Sequence, residues 1–507
     1  MDARRGHGRW LARWSVAVLI LAGLLGGVAA PALAGEQVTV VKDDRGWRLD
    51  VAGRDYFVKG VVWSYTPIGE TFTFNLWGKS EEHIQAVLDH DGKLMKAAGI
   101  NTIRSFAMIP PKWVEYLYDN YGIMTIVNHL MGRYGYTVGG VWRPQTNYAD
   151  PATRETIKSD IVELVRKYKG TRGVLMYALG NENNYGLYWE GTEIQDLPED
   201  EQESAKARPL YTMFEEVIVA CKKVDDTKPY SIVNGDIQFL DIIAEEVPSL
   251  DILGSNCYRG RSFTDMWKRV AAELDKPVCF MEFGCDAFNA RTRAEDQEAQ
   301  ASYIRDQWVE IYAKAWGQGE EGNAIGGFLF EWRDEWWKYL QVENLDKQDK
   351  TASWSTGAYK FDYAEKSTNM NEEWFGIIAI GPPNADGVTA AYPRAAYYVI
   401  QGIFAVDPYK SSRTQVTEAL VGIDMDGIAL SSEIDALSRR ARRDDMFRLA
   451  GGSLRGEFVL AGNDPQVRVA ELAEHLDLSQ LDLERGGAVS AVVSLNRGSH
   501  SRSRVRR

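Results

Sequence analysis

Apolar runs of five to nine residues recur along the chain: "YFVKGVVW", "NTIRSF", "IMTIVN", "GVLMYAL", "YSIVN", "DILGSN", "PVCFME" and "AIGGFLFEW". Short runs of this kind, bounded by turn residues, read as strands of a parallel sheet buried on both faces. One-sided helical spacing fills the gaps between them. Residues 81–98 put Ile84, Val87, Leu88, Leu94 and Met95 on one face, and Gly99 stops the helix. Helices at 111–121 and 151–168 each open on a proline, which suits a first turn. Others are expected at 205–223, 239–246, 264–274, 295–316 and 393–404. Eight strands alternating with eight helices predict an α/β protein, a (β/α)8 TIM barrel. An open doubly wound sheet would need a glycine-rich phosphate turn after its first strand, whereas "GVVWSYTPIG" is aromatic.

Three stretches fall outside this rhythm. Before the first strand, "VTVVKDDRGWRLDVAGRDYF" alternates and turns at Gly53, which predicts a short N-terminal β-hairpin. After the eighth strand, residues 331–391 form a long loop rich in Trp, Tyr, Asp and Glu, a candidate lid or substrate wall. Residues 409–507 carry no tryptophan, contain "SRRARRDD" and end "NRGSHSRSRVRR". They read as a C-terminal appendage with a partly disordered basic end, in which "SLRGEFVLAG" is a candidate strand. The catalytic unit is thus expected over residues 35–408. Residues 1–34 have a signal-peptide pattern: Arg4, Arg5, Arg9 and Arg13, an apolar run, then "PALA". The rival is an uncleaved anchor, but the run is short and holds three glycines. The expectation is therefore a secreted or periplasmic protein, with no membrane partner beyond this leader.

Composition narrows the partners. The 507 residues carry a formal net charge of −14. Removing the leader, with four Arg and one Asp, makes the remainder more acidic still. That argues against nucleic acid or anionic lipid and suits a neutral ligand such as a sugar. Cys221, Cys257, Cys279 and Cys285 lack a CxxC spacing, so zinc is not expected. Export would permit disulfides; Cys257 and Cys285, after adjacent strands, are candidates, while Cys279 reads as core.

In such a barrel, chemistry stands at the C-terminal ends of the strands. Strand 2 ends at Arg104, strand 3 at Asn128 and His129, and strand 4 at Asn181 and Glu182. Strand 5 ends at Asn234 and Asp236, strand 6 at Asn256 and Tyr258, strand 7 at Glu282, and strand 8 at Glu331 and Trp332. Strands 4 and 7 lie nearly opposite in an eight-stranded ring, so Glu182 and Glu282 can face one pocket. Two carboxylates flanking one bond are what glycoside cleavage requires. Asp236 and Glu331 could hold sugar hydroxyls or pair with Arg333. Trp63, Tyr65, Trp142, Tyr185, Tyr188, Trp189, Trp336 and Trp337 fall in loops at the same rim and are candidates to stack on sugar faces.

"GNEN" after strand 4 and "MEFG" after strand 7 resemble the two catalytic segments of clan A retaining glycoside hydrolases, in particular the barrel of family 2 and related β-glucan-acting barrels. The resemblance spans roughly residues 50–405. It implies Glu182 as acid/base, Glu282 as nucleophile, and Asn181 as the contact to the sugar 2-hydroxyl. It also implies Arg104 and Tyr258 beside the nucleophile and Trp332 as the floor of the sugar site. Asn128, His129, Trp63 and Asp236 complete the substrate-binding candidates. Family 2 chains usually carry β-sandwich domains ahead of the barrel, where this one has room for a hairpin. The expected activity is hydrolysis of a β-linked oligo- or polysaccharide by double displacement, with no cofactor and no metal. A transglycosylase using the same intermediate and a non-catalytic glycan-binding barrel are the alternatives.

Overall fold

The computed structural model describes residues 35–187, 192–339, 342–428, 481–482 and 490–491. Among them, eight parallel strands close into a barrel in which each bonds the next in chain order and the last bonds the first. These are β1 (Val58–Val62), β2 (Thr102–Arg104), β3 (Met124–His129), β4 (Val174–Leu179), β5 (Tyr230–Gly235), β6 (Ile252–Asn256), β7 (Val278–Phe283) and β8 (Ala324–Leu329). The helices that follow them are α1 (Glu81–Ala97), α2 (Pro111–Tyr121), α3 (Pro151–Tyr168), α4 (Glu199–Lys222), α5 (Leu240–Glu246), α6 (Met266–Glu273), α7 (Gln297–Ala313) and α8 (Ala395–Phe404). The fold is the (β/α)8 barrel that the apolar rhythm predicts.

Local chemistry accounts for the helix boundaries. Ser80 caps α1 by accepting from the His83 amide. Asp150 caps α3 at 2.8 Å from the Thr153 amide, with Pro151 in the first turn. The pattern marks α4 from residue 205, yet the helix begins at Glu199. Its opening "EDEQES" is polar on every side and gives no apolar period to read.

Alternation along the strands sorts side chains into two layers. Met124 and Ile126 of β3 belong to one core cluster with Val58, Val62, Cys279 and Met281. Their neighbour Val127 joins the other, with Val61, Ile103, Leu253 and the apolar faces of the helices. The first cluster fills the barrel; the second seals strands to helices. The last inward positions are polar and buried: Arg104 on β2, Asn128 on β3 and Asn256 on β6. Polar residues there form the floor of the barrel mouth.

The other end is plugged. The expected N-terminal hairpin is a three-stranded antiparallel sheet, Val38–Asp43, Gly46–Val51 and Arg54–Tyr56. Its amides reach the loops that lead into strands: Gly35 to the Gly170 carbonyl, Val38 to Thr227 and Trp47 to Gly322. Leu49 and Val51 extend the barrel core. Past residue 408, helix Arg413–Val421 buries Val416 and Leu420 in the outer cluster. Residues 1–34, expected to be a leader, and the segment 453–462, a candidate strand, lie outside the described residues. Among those described, no helix is long and apolar enough to cross a membrane. All four cysteines are buried and free, so the pairing of Cys257 with Cys285 is not formed. Burial pushes the Cys257 and Cys285 thiols well above their ordinary range.

One ion pair closes the seam between β8 and β1. The Arg333 guanidinium, just past β8, donates through Nε to Asp91 Oδ2 of α1 at 2.8 Å and through Nη2 to Oδ1. The Trp63 indole, just past β1, donates to the same carboxylate at 2.9 Å. Both charges are about 2–3% exposed. Removing one partner of such a pair strands the other without water. Asp91→Asn is expected to cost about 3–5 kcal/mol in denaturant unfolding; a loss under about 1 kcal/mol would contradict this role for the pair.

Candidate active site

The mouth is organised by Arg104, the last residue of β2, which is 0% exposed. Its Nε donates to Asn128 Oδ1 at 2.9 Å. Nη1 donates to Glu282 Oε1 at 2.7 Å and to the Met281 carbonyl at 3.0 Å, and Nη2 donates to Asn181 Oδ1 at 2.7 Å. One side chain thus ties the ends of β2, β3, β4 and β7. Asn128 is fixed in turn, its Nδ2 donating to the Ala178 and Gly180 carbonyls at 3.1 and 2.9 Å.

Both oxygens of Glu282 are held. Oε1 takes Arg104, and Oε2 accepts the Tyr258 hydroxyl at 3.0 Å. Burial, with Glu282 and Glu182 nearby, holds the Tyr258 phenol well above its ordinary range, so it remains a donor. Its ring is boxed edge-on by Phe330, Trp354 and Phe375 at 5.8–6.4 Å. Trp354 and Phe375 come from the long segment after β8, which therefore walls this side.

Glu182 stands just past β4 with φ 55° and ψ 34°, a left-handed conformation that costs a non-glycine residue about 1–3 kcal/mol. Its amide is anchored to the Val233 carbonyl of β5 at 2.9 Å. Its Oε1 accepts from Asn256 Nδ2 at 3.1 Å, the same group that donates to Asn181 Oδ1 at 3.1 Å. Among the described residues, no cation is bonded to Glu182. Burial and the negative Glu282 push its carboxyl up to about 7, while the Asn256 bond pulls the other way. The mouth therefore holds two carboxylates in different surroundings, one bonded to a guanidinium and one half-buried with its proton retained near neutrality.

The other asparagines of "GNENN" are clamps. Asn183 Nδ2 donates to the Leu130 and Met131 carbonyls and, at 2.6 Å, to the Tyr148 hydroxyl, while its Oδ1 accepts the Asn181 amide at 2.7 Å. Asn184 exchanges bonds with Gly235, accepting from its amide at 2.7 Å and donating to its carbonyl at 3.0 Å. These two side chains lock the loops after β3 and β5 onto the turn that carries Glu182.

Glu182, Glu282, Arg104, Asn128, Asn181 and Tyr258 come together as the strand-end reading expects. Four candidates do not. Trp332 is 0% exposed and packs toward Tyr397 of α8, so it has no face to offer a sugar. Trp63 is 2% exposed and bound to Asp91. Both carboxylate oxygens of Asp236 are taken by Arg259, at 2.8 and 2.7 Å, rather than by Arg333. His129 Nδ1 accepts the Met131 amide at 3.1 Å, and burial lowers its imidazole to about 4, so a neutral ring shapes its own loop. Tyr188 and Trp189 lie outside the described residues.

Other groups at the mouth lie outside the catalytic and substrate-binding residues that the resemblance implies. Asn256 bridges Asn181 and Glu182; its signal was its place as the last inward residue of β6. Tyr134, in the loop after β3, accepts from Asn181 Nδ2 at 3.2 Å, and nothing local marks it. On the β8 side, burial and Glu335 push Glu331 well above the carboxylate range, and Lys338 stands 5.2 Å over the Phe330 ring. Among the described residues, no three His, Cys, Asp or Glu side chains are grouped to hold a metal ion.

Asn183→Ala removes the bonds that hold the β3 loop. Amides of residues 130–136 are expected to exchange faster with solvent, with stability lower by about 1–3 kcal/mol. Unchanged exchange in that loop would rule out the clamp.

Residues 78–336 match the model of the glycosyl hydrolases family 2 TIM barrel domain. Among solved structures, the chain is similar to a GH2 β-galacturonidase from Eisenbergiella tayi bound to galacturonate, at 14% identity and TM-score 0.45, over 73% of this chain and 55% of that one. It is also similar to Bifidobacterium dentium β-glucuronidase complexed with coumarin-3-O-glucuronide, at 18% identity and TM-score 0.44, over 73% and 49%. A β-D-glucuronidase of Dictyoglomus thermophilum gives 16% identity and TM-score 0.43, over 74% and 54%. The chain spans about half the length of these structures. No curated protein matches the sequence.

Proposed function

The chain belongs to the glycosyl hydrolases of family 2 through its TIM barrel domain, and on that premise we propose that it is a retaining β-glycosidase with Glu282 as nucleophile and Glu182 as acid and then base. The observation that carries this reading is the contrast between the two carboxylates. Glu282 is bonded to Arg104 and Tyr258, while Glu182 is half-buried, has no bonded cation among the described residues and is raised to about 7. Double displacement needs this division: a charged group that attacks and a protonated group that donates.

In the first step, a Glu282 oxygen bonds to the anomeric carbon as the glycosidic C–O bond breaks and Glu182 gives its proton to the departing oxygen. Glu282 is now a neutral ester, so the repulsion that helped raise Glu182 is gone and its conjugate base is favoured. Glu182 can then take a proton from water, whose oxygen attacks the anomeric carbon and returns Glu282 to its carboxylate. Arg104 and Tyr258 receive the negative charge without rearranging, because both donors are already aimed. Asn181 has its Oδ1 occupied by Arg104 and Asn256. Its Nδ2 faces Tyr134 and is the group available to a sugar hydroxyl.

A panel of β-glucans and aryl β-glycosides tests activity and identifies the sugar. Glu282→Gln is expected to lower kcat/KM on the substrate found by roughly 10⁴-fold, and a 2-deoxy-2-fluoroglycoside of that sugar should label Glu282. Failure of the whole panel, or a label on another residue, would sink the assignment.

The pH dependence follows in sign. The acid form of Glu182 is the active one, so kcat/KM should fall as pH rises through about 7. Glu182→Gln should abolish that limb on an aryl glycoside whose leaving group needs no proton. A limb that persists in the variant would assign the acid elsewhere.

A further inference from the structure

Arg133, in the loop after β3, is a guanidinium at the mouth with no counter-ion. It is half-buried, and its Nε is shut off from water without a partner. Among the described residues, no carboxylate or carbonyl is bonded to its side chain. The cations around it are committed: Arg104 pairs with Glu282, Arg259 with Asp236 and Arg333 with Asp91, and Lys338 stands 3.4 Å from Glu335. A charge drawn out of water and left unanswered is costly, yet this one is held in a built seat.

The Arg133 amide donates to the Leu130 carbonyl at 3.1 Å, and the same carbonyl accepts Asn183 Nδ2 at 3.1 Å. One oxygen thus joins the backbone of Arg133 to the residue after Glu182. The turn Asn183–Gly186 ends at the glycine on which the guanidinium rests: a Cβ at Gly186 would stand 3.1 Å from Nη1 and 3.7 Å from Cζ. The Tyr134 ring, 60% exposed, has its centre 5.3 Å from Cζ, and its phenol is held by Asn181, the residue before Glu182. Arg133 is therefore fixed to residues on both sides of Glu182 and makes no ion pair with it.

Glu182 faces Glu282 from β7, Arg104 from β2, Tyr258 from just past β6, Tyr134 and Arg133 from the loop after β3, and Tyr185 from its own turn. Of these, Arg104 and Arg133 are cations, and Arg104 is already bonded to Glu282. A bonded guanidinium would hold Glu182 ionised and remove the proton it has to donate. One that stands off leaves the proton in place and meets the negative charge when it forms. That moment follows the first step: the proton has gone to the leaving oxygen, Glu282 is a neutral ester, and Glu182 carries the charge. We infer that Arg133 is the counter-charge of Glu182 in the glycosyl-enzyme, favouring its carboxylate until it takes a proton from water. Arg133 is thus a positioning residue that acts through Glu182. This rests on the glycosidase reading above.

The carbon-13 shift of the Glu182 carboxyl, assigned with Glu182→Gln, follows its protonation without any substrate. Because Arg133 favours the carboxylate, Arg133→Met is expected to raise the midpoint by about half a pH unit or more. Arg133→Lys, which keeps the charge, should return it most of the way, and Arg133→Gln replaces the methionine variant if that one does not fold. An unmoved midpoint in the neutral variant would overturn the counter-charge. The 2,4-dinitrophenyl β-D-glucoside, galactoside, mannoside and glucuronide give the kinetic readout, since their leaving group needs no proton and breakdown of the glycosyl-enzyme limits kcat. That step needs the Glu182 carboxylate, so the limb on which kcat rises with pH should move upward by the same shift in Arg133→Met. A fixed limb would overturn the proposal, and so would a loss confined to the glucuronide, which would assign Arg133 to a carboxylate of the substrate. A wild type silent on all four would overturn the glycosidase reading, and with it the role in the glycosyl-enzyme, whatever the carbon-13 midpoint.

Discussion

A guanidinium without access to water has to be answered entirely by protein. At Arg104 the answer comes from Asn128, Asn181, Met281 and Glu282. A buried charge left unpaired costs several kcal/mol, and a planar fork accepts partners only in fixed directions. The ends of β2, β3, β4 and β7 are therefore held at one mutual geometry. The same bonds make the two carboxylates unlike. Glu282 takes the cation, so Glu182 is left with burial, a neutral amide donor and the charge of Glu282. The contrast in bonding partners on which the proposed chemistry depends follows from where one arginine is placed.

The barrel separates stability from this arrangement. Its lower end is closed by an antiparallel sheet whose amides bond the loops into β4, β5 and β8, and its seam is tied by Asp91, Arg333 and Trp63. The upper end carries the irregular backbone. Glu182 and Asp236, after β4 and β5, both have left-handed φ values of 55° and 52°. Such conformations persist where their surroundings determine them, and Asn183, Asn184 and the Arg259 pair supply those surroundings.

How far the site was legible depended on what each residue does. Arg104, Asn128, Asn181, Tyr258 and the two glutamates were readable because a strand end is a fixed place in a barrel and an inward position has few alternatives to facing the mouth. Trp63, Trp332 and Asp236 sit at strand ends as well, but their partners come from distant segments: Asp91 on α1, Tyr397 on α8 and Arg259 after β6. Nothing near them in sequence announces those partners. Asn183 and Asn184 looked like turn residues and are turn residues, but the carbonyls and amides they clamp belong to two other loops.

By itself, the sequence determined the barrel, the order of its strands and the ends on which polar groups would stand. Those follow from local periodicity and from the closure rule of alternating strands and helices, which need only neighbours along the chain. The tertiary structure alone decided which of those polar groups pair, which carboxylate takes the arginine, which tryptophans are core and which rings stay bare. Each of these is a contact between residues tens to hundreds of positions apart, and its strength depends on burial. Both are properties of the closed ring rather than of any one of its strands.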